Sequence, residues 1–153
     1  MVHYELGDLA SAKNALIDAL RLAPGDAWNH VVMGNIFVRE QDWSSAIRFF
    51  SKAIELKPDD PWALNGLGAA LAKSGQTEKA ITAFDSAIAA NPKMPEPRFG
   101  KALALRSQGQ LAESAETLQA LIASVDSPSS IIEQSKKLLA AIQSEIRERS
   151  EEH

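Results

Sequence analysis

Small, aromatic and proline residues recur along this chain at intervals of 34. Ala12, Ala46 and Ala80 form one series, Ala19, Ala53 and Ala87 a second, and Pro24, Pro58 and Pro92 a third. The same register joins Leu16 with Phe50 and Phe84, Gly34 with Gly68, and Gly75 with Gly109. Self-similarity at a period of about 20 to 50 residues is the mark of stacked units, each too small to bury its apolar face alone. The 153 residues are therefore expected to form one elongated array rather than a globule around a single core.

Within each unit the recurring residues have separate physical reasons. The prolines end a helix, because a residue without an amide hydrogen cannot continue the ladder. Gly7, Gly75 and Gly109 are expected where a first helix reverses into a second, a place that favours left-handed backbone. Gln41 stands there in the second unit, so that turn is either strained by roughly 1 to 2 kcal/mol or built differently. Gly34 and Gly68 lack a β-carbon, and are expected to let a neighbouring helix come close enough for Phe37 or Leu71 to pack beneath. Ala46 and Ala80 do the same on the second helices, where enlargement overpacks the contact.

Helix starts agree with this parse. Asp26 and Asp60 read as N-caps, with Pro61 tolerated at the first helical position. Ser127-Pro128 repeats the device, with Ser130-x2-Glu133 as a capping box. First helices are expected near 27–40, 61–74 and 95–108, second helices near 9–22, 44–56, 78–90 and 112–123, and a final helix from 128. In the fourth unit Lys101 and Ala102 replace the leucine and glycine, and Ser114 and Leu121 replace two small alanines, so its helices are expected to cross at an altered angle.

The second unit reads His30-x2-Met33-Gly34-x2-Phe37, then Ala46-x3-Phe50-x2-Ala53, then Pro58; the third reads Leu64-x2-Leu67-Gly68-x2-Leu71, then Ala80-x3-Phe84-x2-Ala87, then Pro92. Both resemble the tetratricopeptide repeat, whose pattern is W-x2-L-G-x2-Y, then A-x3-F, then P. The resemblance runs from residue 7 to 123. It implies an all-α fold, a right-handed α-solenoid of about three and a half helix-turn-helix units, with a C-terminal capping helix.

That fold divides the single domain 1–153 into a partial first repeat (1–26), a second (27–60), a third (61–94), a divergent fourth (95–127) and the capping helix (128–153). Ile131, Ser135, Leu138, Leu139, Ile142 and Ile146 make one arc of that last helix, as a cap requires. At the other end only Met1–Glu5 precede Gly7, about eight residues short of a full first helix. The chain therefore reads as an excerpt of a longer array. If it is instead a natural start, the apolar side of Leu9, Leu16 and Leu20 is partly uncovered and invites a homo-oligomer through this N-terminal edge.

Little in the sequence converges on chemistry. Cysteine is absent, which excludes disulfides, thiolate metal sites and a cysteine nucleophile. The three histidines are His3, His30 and His153; His30 takes the place of the repeat's tryptophan and is expected to be a packing residue. Gly66-x-Gly68 lies inside a helix, not in a phosphate loop between strand and helix. Asp59-Asp60 and Glu151-Glu152 lack further ligands at metal-binding spacing. No catalytic residue, cofactor or metal is expected. A net charge of -4 argues against nucleic acid as a partner. No segment reaches the roughly 18 apolar residues of a membrane span.

What is left is the concave surface that first helices line in such a stack. The faces turned away from Gly34 and Gly68 carry Trp28, Val31, Asn35 and Arg39; Trp62, Asn65, Ala69 and Lys73; and Phe99, Leu103 and Arg106. These define an apolar rail, Trp28, Trp62 and Phe99, beside a basic rail, Arg39, Lys73 and Arg106. Asn35 and Asn65 offer a donor and an acceptor to an extended peptide backbone. The alternative is that the tryptophans pack on the preceding turn and the cations only complement helix dipoles.

The expected function is a scaffold or adaptor that binds a partner protein's segment, amphipathic with acidic residues along one edge. A self-associating assembly scaffold and the non-catalytic targeting arm of a larger enzyme are the alternatives. Tetratricopeptide domains that clamp chaperone C-terminal carboxylates use Lys-x3-Asn and, on a later helix, Lys-x3-Arg. Here those positions read Val31-x3-Asn35 and Glu96-x3-Gly100, so only Asn35 matches and a carboxylate clamp is not expected.

Overall fold

A computed structural model describes residues 6–124 and 129–153. Among these residues there are eight helices and no strand: α1 (Leu6–Leu22), α2 (Ala27–Arg39), α3 (Trp43–Leu56), α4 (Pro61–Lys73), α5 (Thr77–Ala90), α6 (Pro95–Ser107), α7 (Leu111–Ser124) and α8 (Ser130–Glu151). From α2 to α7 each boundary falls within a residue of its sequence expectation. Gly7 does not make a turn: α1 begins at Leu6 and runs through it.

The caps explain why the starts are so sharp. Asp26 accepts a hydrogen bond from the Trp28 amide at 3.0 Å, and Asp60 accepts from Trp62 at 2.9 Å and Ala63 at 3.3 Å, with Pro61 opening α4. Asp42 is a third acidic cap, holding the start of α3 by accepting from the Ser45 amide at 3.1 Å and its hydroxyl at 2.6 Å. These two bonds from Ser45, the hydroxyl's first, hold the Asp42 carboxyl below its ordinary value. The Ser127-Pro128 device lies outside the described residues. The capping box at Ser130 and Glu133 does not form: Ser130 follows the N-cap residue Ser129, and Glu133 instead pairs with Lys136 at 3.1 Å.

Three turns between first and second helices repeat one geometry. The amides of Asp42, Gln76 and Gln110 donate back to the carbonyls of Phe37, Leu71 and Leu105, and those of Gln41, Gly75 and Gly109 to Val38, Ala72 and Arg106. This double closure needs a left-handed residue in the middle. Gly75 and Gly109 supply it at φ +84° and +76°, and Gln41 adopts the same region at φ +59°. The exception in sequence is thus not built differently; it carries the strain.

The helices pack in chain order, and α2 also meets α4, α4 meets α6 and α6 meets α8. No such approach joins α3 to α5 or α5 to α7. Even-numbered helices are therefore closer together than odd ones, so the stack bends toward them and they form its inner layer. The fold is the all-α solenoid with a capping helix.

Phe50 and Phe84 set the spacing of that stack. Phe50 is fully buried in a cluster with Val31, Ala46, Ala53, Ala63 and Ala70. A β-carbon on Gly34 would stand 2.8 Å from its Cε1, and one on Gly66 2.5 Å from its Cζ. Phe84 is held likewise, 2.7 Å from a β-carbon on Gly68 and 2.5 Å from one on Gly100. The rings that lie against these glycines are thus Phe50 and Phe84 of the second helices, not Phe37 and Leu71. Ile47 and Leu67 touch both this cluster and the one around Leu71, Ala80, Ala83 and Phe84, which joins the core of the second unit to that of the third.

The ends differ. At the C-terminal end α8 buries Ile132, Ser135 and Ile142, with Leu138 and Leu139 packed against Ala102, Leu111, Ala115 and Leu118. Ile132 rather than Ile131 is the buried isoleucine at its start. The replacement at Ser114 is absorbed, since its hydroxyl donates to the Ala102 carbonyl at 2.6 Å. At the other end Lys13 stands where the register places Ile47. Its ammonium sits 4.2 Å from the Phe37 ring centroid and pairs with Glu40 at 2.7 Å, a polar joint where later units have an apolar one.

Candidate partner-binding face

The inner layer displays a strip whose positions follow from the caps. Because Asp26 and Asp60 start α2 and α4 in the same way, Trp28 and Trp62 are both the second helical residue and project alike, 56% and 54% exposed. In α6 that position is Glu96, after an N-cap Met94 that makes no side-chain cap bond. Carboxylates are favoured in a helix's first turn, so the fourth unit replaces an aromatic with an acid there.

The column of Val31, Asn65 and Phe99, each 34 residues from the next, turns toward the core instead. Val31 is 1% exposed within the Phe50 cluster, Asn65 is half-buried, and Phe99 packs against the cluster of Ala102 and Ile142. Val31 is therefore removed from the groove, and Phe99 is a packing residue between α6 and the last two helices rather than a third member of the aromatic rail. The residues that do share the open strip are Asn35, Ala69 and Leu103, again 34 apart, with Arg39 and Lys73 one turn further on. Leu103 is 44% exposed.

Two recesses lie along this strip. One, of about 170 Å³, is bounded by Leu9 and Ala12 of α1 and by Val32, Asn35 and Arg39 of α2. The other, of about 280 Å³, lies between α4 and α6 and has Ala69, Lys73 and Leu103 among its walls. The basic rail is shorter than the sequence suggests: Arg106 donates to Glu145 of α8 and is committed to holding the capping helix. Register alone ends the rail at Lys73, because the position following Arg39 and Lys73 is Ser107.

No group of three or more His, Asp or Glu side chains suited to a metal occurs among the described residues, and no described helix is long and apolar enough to cross a membrane. His30 is buried, with Nε2 donating to the Pro24 carbonyl at 3.0 Å and the ring tilted against Phe49, which is a packing role.

A family profile described as TPR repeat matches residues 34–75, and one described as Tetratricopeptide repeat matches residues 65–130, so the two together run over most of the stack. The chain belongs to the tetratricopeptide repeat family. Among solved structures of this family, the TPR2B domain of yeast Sti1, determined in complex with pHsp70, is 24% identical over 78% of this chain and 97% of its own, with a TM-score of 0.75. The Sgt2 TPR domain from Aspergillus fumigatus is 22% identical over 82% of each chain, TM-score 0.75. The Yersinia enterocolitica type III secretion translocator chaperone SycD is 21% identical over 85% of this chain and 87% of its own, TM-score 0.74. No curated protein sequence matches the chain. At these identities the likeness is one of fold.

Proposed function

We propose that this tetratricopeptide repeat chain is a non-catalytic interaction module that holds a segment of a partner protein against its inner layer. The observation that carries this reading is the open strip itself. Trp28, Trp62 and Leu103 are large apolar side chains left about half exposed on the side toward which the stack bends, Leu103 lining a recess with Lys73 while Arg39 edges the other recess. Amphipathic tryptophans and apolar recesses edged by cations suit a segment with apolar residues on one side and acids on the other. The relative from yeast Sti1, solved in complex with pHsp70, supports a partner-holding use of this architecture. The carboxylate-clamp mode does not fit: Val31 is buried, and Glu96 would repel a terminal carboxylate.

The test is recovery of partners from the source cell's lysate by the chain and by a Trp62→Ala/Lys73→Glu variant whose circular dichroism is unchanged. Partners retained by the first and lost by the second are expected. A partner set untouched by the variant refutes the inner-layer assignment.

A second reading, self-association through α1, rests on a different observation. Ile17 and Leu22 are exposed on that helix, Leu22 at 87%, while Leu9, Leu16 and Leu20 are only half-buried. It predicts a mass that rises with concentration in light scattering and returns to the monomer on Leu22→Glu; a monomer at every concentration removes it.

A further inference from the structure

Trp43, Thr77 and Leu111 occupy one register position, the first residue of α3, α5 and α7. Thr77 is the smallest of the three, and at its place the recess between α4 and α6 opens. The floor is fixed: Phe84 is buried and Gly100 lies flat against it, since a β-carbon there would be 2.5 Å from Cζ. The walls are the side chains of Ala69, Ala72, Leu103 and Ala104, with Ser107, whose hydroxyl donates to the Ala104 carbonyl at 2.6 Å. At about 280 Å³ the recess falls just below the roughly 300 to 1,000 Å³ of small-molecule sites, which suits one side chain better than a free metabolite. Its charged wall residue is Lys73, exposed and without an ion pair among the described residues.

We propose that this recess is the anchor pocket of the inner layer, taking one leucine or methionine side chain of a partner peptide while an aspartate or glutamate close to it in the same peptide pairs with Lys73. The inference rests on the reading that the inner layer is the binding face, and adds which recess selects and for what. An unbranched or γ-branched aliphatic chain can enter a narrow cleft between two helices and bury its end against Phe84. A charged or amide-bearing chain would lose its hydration to walls that are mostly aliphatic, whose uncharged polar side chains are Thr77 and Ser107, the Ser107 hydroxyl already donating to the Ala104 carbonyl. Lys73 stands over the opening, where a carboxylate keeps some solvent and the pair fixes register and direction more than it adds affinity. Thr77 sets access, because a large residue in its position would fill the opening.

The experiment uses random dodecapeptides displayed on phage, selected on the full chain, followed by fluorescence polarisation with a selected peptide. Selection is expected to converge on Leu or Met with Asp or Glu close by. Thr77→Trp, or Thr77→Leu should the tryptophan variant not fold, is expected to weaken the selected peptide by about tenfold or more, the loss of one buried anchor. Changing the peptide's anchor to alanine should cost the same, and the two losses should not add, because both remove one contact. Lys73→Glu should erase the acidic preference and keep the aliphatic one. If Thr77→Trp and Thr77→Leu both leave affinity unchanged while Trp62→Ala/Lys73→Glu abolishes it, the pocket is refuted and the inner-layer reading stands. If none of them matters, both fall. A selected pool without an aliphatic consensus also overturns the pocket.

Discussion

Phe50 lies between two helices that can approach only because Gly34 and Gly66 carry no side chain, and this makes Gly66→Ala a sharp test of how the stack is held. The added β-carbon would stand 2.5 Å from Phe50 Cζ, against the roughly 3.5 to 4.0 Å of carbon–carbon contact. The ring would have to yield by about 1 Å. It has nowhere to go, since a β-carbon at Gly34 would already stand 2.8 Å from the ring's Cε1 and the side chain is fully buried. Overpacking of this kind costs about 1 to 3 kcal/mol, while alanine gains about 0.8 to 1 kcal/mol over glycine inside a helix. The net expectation is a loss of about 1 kcal/mol in urea unfolding followed by circular dichroism.

The sign is what matters. Phe50→Leu alone should cost about 1 to 2 kcal/mol by leaving part of the ring's space empty. In that background the obstacle is gone, and Gly66→Ala should become stabilising by nearly its helical gain. The coupling between the two positions is then on the order of 2 kcal/mol. Should Gly66→Ala have the same effect in both backgrounds, the ring does not set the helix spacing and the reasoning fails.

Other outcomes follow from the turns and caps. Gln41→Gly removes the left-handed strain at φ +59° and should raise stability by about 0.5 to 1 kcal/mol after glycine's own entropic cost, whereas Gly75→Ala should lower it in the same urea assay. Asp42 has a folded-state value below its ordinary one because of Ser45. Its contribution is therefore complete above the ordinary carboxylate range near about pH 4 and is lost as pH falls through the folded value. Asp42→Asn should accordingly shrink the drop in unfolding midpoint between neutral and acid solution.

How much of this was legible in sequence depended on whether a residue's role is local. Helix limits, the Asp26 and Asp60 caps and the left-handed turns are set within a few residues, and the 34-residue register exposes them. The strip was half legible. Trp28, Asn35, Arg39, Trp62, Ala69, Lys73 and Leu103 lie on the inner layer, but helical spacing alone groups the buried column of Val31 with the exposed one of Trp28. Carrying each position forward by 34 would have aligned Val31 with Asn65 and Phe99, and Trp28 with Glu96, separating the two columns. Two facts were beyond that register. The capping helix has no repeat counterpart, so nothing in the pattern announced that Glu145 takes Arg106. The ring against Gly66 comes from a different helix, so its identity is a matter of packing between units.

Partners are proposed to meet this chain on its even-numbered helices. A photo-crosslinking amino acid placed at Leu103 on the inner layer, and in a second protein at Ser86, exposed on α5 in the outer layer, tests it directly in source-cell lysate. Partners covalently trapped from position 103 and absent from position 86 are the expected result. The same partners trapped from position 86 and not from 103 would contradict it.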